Sequence, residues 1–220
     1  MHTLLQKVKD PGSALTHFIG MMIAIFAATP LLVKASHGSN SSYLGAFVIF
    51  IVSMICLYGA STVYHTFDVS EKINTLLRKI DHSMIFVMIA GSYTPICLIV
   101  LPKNVGLPLL TTVWLITVIG TIFKICWINC PHWLSSAMYI GMGWLAVLAF
   151  SPIIKVLSQS AFMWLLVGGI IYTIGGIIYA LKLPLLQKFN WKNFGNHELF
   201  HCFVMLGSIC HFILVYHYLA

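Results

Sequence analysis

"GNHELFHCFVML" (residues 195–206) decides how the chain is read. Its middle, HELFH, has the outline of H-E-x-x-H, the zinc-protease signature in which two histidines one helical turn apart hold the ion and the glutamate acts as general base. The same residues stand at the mouth of the last long apolar segment. Three readings are open: a metalloprotease, a metal site of another kind, or two histidines that fall four apart in a membrane helix.

Composition settles the solvent. Of 220 residues, 60% are hydrophobic and 8% charged, with a mean hydropathy of +0.95, whereas a soluble domain carries about 25% charged residues. A chain this apolar cannot cover its surface with polar groups, so it faces lipid. The net charge of +7 comes from 12 basic and 5 acidic residues. The basic ones are scattered singly between apolar runs, as topology signals and contacts to anionic headgroups are. No Arg/Lys cluster with interleaved aromatics exists, which argues against nucleic acid as a partner. Membrane lipids are the expected partners, and the sequence carries no signal of oligomeric state.

Apolar runs fall at about 15–33, 43–64, 82–101, 107–126, 133–150, 161–181 and 197–219. Each is long enough to cross a hydrocarbon core about 30 Å thick at about 1.5 Å per residue. Turn-rich breaks separate them, among them "SHGSNSS", "LPKNVGLP", "INCPHW", "SPIIKVLSQS" and "KLPLLQKFNWKNFGN". The expected architecture is all-α, a single seven-helix membrane domain over 1–220. The first run exceeds a signal-peptide core and no small-x-small cleavage site follows, so it reads as a retained span.

Lys and Arg counts orient the bundle. With the N-terminus cytoplasmic, Lys7, Lys9, Lys72, Arg78, Lys79, Lys124, Lys182, Lys188 and Lys192 lie inside, and Lys34, Lys103 and Lys155 outside. The C-terminus is then outside, in a multi-pass protein of the cell (plasma, or inner) membrane. Gly168, Gly169, Gly175 and Gly176 read as a helix-packing stripe. Trp127, Trp133 and Trp191 fall near inner helix ends and Trp164 near an outer one. The six cysteines lie mostly in apolar runs and read as small core residues.

Ionisable groups in a span are functional candidates by default. His65 ends the second run, Asp81 opens the third, and His197, Glu198 and His201 open the seventh. The orientation drawn from Lys and Arg alone brings all of them to the cytoplasmic side. His197 and His201 stand at i and i+4, on one helix face, and Ser61 and His65 repeat that spacing. Three neutral imidazoles and one open position are what a catalytic zinc requires. Asp81 then orients water or accepts its proton, and Ser61 bonds Asp81 or the water. The plain alternative is a hydrogen-bonded pair of core histidines. His17 reads as a cavity-lining residue or a helix-start hydrogen bond, and His211, roughly 21 Å beyond His197 along the helix, as an internal polar contact.

Glu198 does not make this a protease. An intramembrane protease draws a third ligand from a later span, usually a carboxylate, and no Asp or Glu follows residue 201. His65, upstream, is the obvious third ligand. Glu198 instead pairs with Lys192 or caps the start of its helix.

"STVYHTF", "RKIDHSMIFVMIAGSYTP", "NHELFHCFVMLGSICHF" and the opening "GSALTHFIGMMIAIF" together resemble the hemolysin III family, the bacterial branch of the progestin and adiponectin receptor superfamily. The resemblance covers essentially the whole chain. It implies seven helices, an inside N-terminus, and a zinc ion near the cytoplasmic side held by His65, His197 and His201, with Asp81 holding the zinc-bound water and Ser61 completing S-x-x-x-H. Zinc rests on the resemblance, since three imidazoles also suit copper, nickel or iron. Related adiponectin receptors and alkaline ceramidases suggest hydrolysis of a lipid amide. Bacterial members look like regulators of membrane lipid balance, and the family name records an association with cell lysis. The expectation is a zinc-dependent hydrolase of a lipid amide or ester bond in lipid homeostasis. The alternative is a non-catalytic sensor or lytic protein with a structural zinc.

Overall fold

The computed structural model describes residues 8–181 and 194–220, and every regular element among them is helical. The elements are α1 (Pro11–His37), a single turn at Ser41–Tyr43 leading into α2 (Leu44–Thr66), α3 (Glu71–Pro95) continued by a wider turn at Ile96–Val100, α4 (Lys103–Cys126), α5 (His132–Gly143), a tight 3-10 stretch at Trp144–Ala149, α6 (Phe150–Val156), α7 (Gln159–Leu181) and α8 (Asn196–Leu214) continued by Val215–Leu219. Seven segments are long and apolar enough to cross a membrane, the fifth being α5 and α6 together. The protein is therefore an all-α membrane protein of seven spans. Phe26, Ile119 and Leu148 are 72%, 65% and 78% exposed. Only hydrocarbon tolerates such a surface.

Local chemistry places the helix ends. Pro11 sits in the first turn of α1, where its missing N–H is no loss. Ser70 caps α3 by accepting the Ile73 N–H, with Glu71 beside it in the first turn. That cap starts α3 eleven residues ahead of the apolar run expected at 82. The intervening "EKINTLLRKI" is polar on average but built of good helix formers, so helix outruns hydropathy. Asp81 consequently lies well inside α3, roughly 15 Å from its start, rather than opening a helix.

The fifth span also departs from a continuous helix over 133–150. After Gly143 the backbone tightens to 3-10 geometry. The Tyr93 hydroxyl fills the gap, donating to the carbonyls of Gly143 (2.6 Å) and Met142 (3.1 Å) and accepting the Ala146 N–H (2.7 Å). A side chain thus replaces the bonds that the broken helix cannot make within itself.

One core cluster joins α1, α2, α3 and α8 through Leu31, Phe47, Phe50, Met88 and Leu214; a second joins α3, α4, α5 and α6 through Phe86, Val113, Met142 and Ile153. Gly168 and Gly175 let α7 approach Cys210 and Phe203 of α8 closely, as a packing stripe should. All six cysteines are free, with Cys97, Cys130 and Cys210 buried and Cys56 and Cys126 exposed. Lys124, counted above as an orientation signal, is fully buried and does not present its charge to an interface. Lys7, Lys182, Lys188, Lys192 and Trp191 lie outside the described residues.

Candidate metal centre

His65, on the last turn of α2, meets His197 and His201 on the first turns of α8. One ring nitrogen from each lies within 4.8 Å of the other two. One pair, His65 Nε2 and His197 Nε2, is 3.1 Å apart. Two zinc–nitrogen bonds of about 2.0–2.1 Å at a tetrahedral angle put their nitrogens about 3.3 Å apart, so the spacing of this pair suits one small cation.

The hydrogen bonds behind the rings support the same reading. Asp10 Oδ2 lies 3.0 Å from His65 Nδ1. Thr16 Oγ1 lies 3.1 Å from His201 Nδ1, and its own proton goes to the carbonyls of Ser13 (2.9 Å) and Gly12 (3.1 Å). The hydroxyl therefore accepts from Nδ1–H. A carboxylate on His65 does the same. Both rings are thus set as the Nδ1–H tautomer, which leaves Nε2 as the lone-pair nitrogen, the form a metal-binding imidazole needs. Lone pairs converging in a buried site repel unless a proton or cation sits among them, and His65 and His201 are only 3% and 2% exposed. The donor set is of a kind that zinc accepts, in softness and tautomer, as other divalent ions of similar softness do.

Asp10 and Thr16 carry no signal in a periodicity search, because they act across 55 and 185 residues. For Asp10 a clue existed: it is one of only 5 acidic residues and stands at the mouth of the first span. It is also pinned there, since the N–H groups of Lys9 and Asp10 donate to the carbonyls of Thr66 (3.3 Å) and His65 (2.9 Å).

Ser61, one turn before His65, faces Asp81. Both line a cavity of about 210 Å³ that His17, His197 and His201 also line and that apolar side chains such as Ile85, Leu165 and Ile153 extend. Ser61 Oγ is buried and without a partner in bonding geometry among the described residues. Glu198 goes elsewhere. One carboxylate oxygen accepts the Gly195 N–H (2.8 Å), capping α8, and the other accepts the Ser13 hydroxyl of α1. With both oxygens engaged, it is not the free base of a protease signature. The alternative pairing with Lys192 lies outside the described residues. His211 is an interior residue, with the Leu165 carbonyl facing its ring outside hydrogen-bonding geometry.

The chain is 37% identical over 220 residues to Hemolysin-3 of Bacillus cereus, covering 99% of this chain and 95% of that protein. It is 36% identical over 219 residues to the Hemolysin-3 homolog of Bacillus subtilis, covering 99% and 96%. A more distant similarity, 23% identity over 222 residues, links 92% of the chain to 49% of the Adiponectin receptor protein of Drosophila melanogaster. A family model described as Haemolysin-III related matches residues 5–212. With full-length relatives above a third identity and a family match along almost its whole length, this chain belongs to the haemolysin III family.

Proposed function

We propose that the protein binds zinc through His65, His197 and His201 and hydrolyses an amide or ester bond of a membrane lipid, as part of lipid homeostasis. One observation carries the reading: three inward-facing imidazole nitrogens at metal-binding spacing sit beside an apolar cavity that also holds a carboxylate, Asp81. Zinc bound there supplies Lewis acidity toward a carbonyl and lowers the pKa of water to about 7.

The chain's own residues do the rest. Asp10 and Thr16 fix the ring tautomers. Asp81 takes the proton of the attacking water and returns it to the leaving amine or alkoxide, and Ser61 steadies the Asp81 carboxyl between those steps. The apolar walls hold the acyl chain and exclude bulk water. In this reading the whole chain is one domain, with its N-terminus and metal centre on the cytoplasmic side of the plasma (inner) membrane.

The test is a paired measurement on purified protein, with zinc by elemental analysis and free fatty acid released from a panel of amide- and ester-linked lipids. His201→Ala should lose both metal and product. Asp81→Asn should keep zinc and lose turnover by about 10²-fold or more. A second reading, a non-catalytic sensor or lytic protein whose zinc is structural, is favoured by the way the cluster ties α2 to α8. It requires Asp81→Asn to keep the full cellular effect and chelation to lower thermal stability.

A further inference from the structure

His17 stands one residue after Thr16 on α1 and is 3% exposed. Neither of its ring nitrogens has a hydrogen-bond partner among the described residues. Its ring stacks on His201, with centroids 3.5 Å apart and planes 10° from parallel, while the ring of Tyr58 meets it at 5.1 Å and 64°. The ring is therefore held by its neighbours, and its nitrogens have been left over.

Stacking cannot satisfy them. Imidazole N–H bonds and lone pairs lie in the ring plane, so a parallel neighbour offers them nothing. His201 in any case commits its Nδ1 to Thr16. A neutral imidazole always carries one N–H donor and one acceptor, and a buried donor without a partner is a rarity that calls for a ligand or water. Of the buried imidazoles, His17 and His211 have both nitrogens unsatisfied. Both line the cavity, but His211 has the Leu165 carbonyl facing it and stands ten residues beyond His201 along α8, roughly 15 Å away, whereas His17 stacks on His201 beside Asp81 and His197.

We propose that His17 is the hydrogen-bond donor this site presents to an acyl oxygen of its ligand, the carbonyl of the lipid before cleavage and the carboxylate after it. The inference rests on the zinc-hydrolase reading. It adds a specificity element that the neighbouring hydroxyls of α1 do not supply: Thr16 is committed to His201, and Ser13 donates to Glu198. The site then selects ligands with an oxygen acceptor beside the metal over ligands that reach the metal alone.

Two long-chain probes of equal length separate these contributions. A fatty hydroxamate offers the metal a chelate with an acyl oxygen, and an alkanethiol offers it a sulfur with no oxygen acceptor. On zinc-loaded protein in nanodiscs, His17→Phe should retain zinc and bind the thiol as the wild type does. It should bind the hydroxamate about tenfold more weakly, the loss expected for one missing hydrogen bond. His17→Gln, which keeps a donor without the ring, should recover part of that preference and covers the case in which the phenylalanine variant does not fold. Equal affinity of wild type and His17→Phe for the hydroxamate overturns the proposal. So does a parallel loss of both probes, or loss of zinc in either variant. Absence of zinc from the wild type defeats the parent reading instead. A surviving probe preference without any lipid cleavage leaves His17 in its role and removes the hydrolase.

Discussion

Two polar clusters are buried at one end of the bundle, and they are built on opposite principles. In the first, Lys124 is wholly enclosed, and its Nζ donates to Cys130 Sγ at 3.1 Å and to Ser135 Oγ, which themselves lie 3.2 Å apart. Every polar atom has a partner from the chain. In the second, His65 Nε2 and His197 Nε2 lie 3.1 Å apart with a ring nitrogen of His201 within 4.8 Å, and Ser61 and His17 are left unsatisfied among the described residues. Burial alone does not mark a site. The informative quantity is what the chain leaves unpaired, because an unmade hydrogen bond in a low-dielectric interior is expensive and persists only where something else completes it.

The comparison breaks most visibly at the histidines. His65→Ala or His201→Ala should reduce zinc from one per chain to background; full occupancy in either variant by elemental analysis removes the ligand assignment. Asp10→Ala should follow, weakening zinc about 10–100-fold in a chelator competition, the usual effect of removing the group that orients a ligand imidazole. The self-satisfied cluster should behave otherwise. Lys124→Met should leave zinc affinity within about twofold and change stability modestly, since a buried charge is often replaced by an apolar side chain at little cost. A matching loss of metal there would mean that the two clusters are coupled and the contrast is false. Glu198→Gln should have the smallest effect on chemistry. Its amide oxygen still caps the Gly195 N–H, so stability should fall by about 1 kcal/mol or less, with lipid cleavage retained. A hundredfold fall in turnover would revive the protease-type base.

Periodicity exposed the candidate ligands: His197 and His201 share a helix face, and the charged residues of an apolar chain are few enough to name. The seven spans followed from run length. The rest resisted for physical reasons. Asp81 was legible as a candidate, but its depth in α3 was hidden because an amphipathic extension has good helix propensity and low hydropathy. Lys124 resembled a topology signal because its partners, Cys130 and Ser135, are common residues in no special pattern. Thr16 meets His201 across 185 residues, a contact that only tertiary packing creates. His17 was read as lining the cavity or bonding at a helix start; it lines the cavity and makes no such bond.

The clasp between the stretch Lys9–Asp10 and the end of α2 reaches into laboratory practice. The backbone that pins Lys9 and Asp10 to Thr66 and His65 also aims the carboxylate at the back of the His65 ring. An affinity tag or fusion partner joined just ahead of Lys9 is therefore expected to disturb, through a few bonds, the proposed metal centre. Moving the handle to the other terminus is the inexpensive way to leave that contact alone.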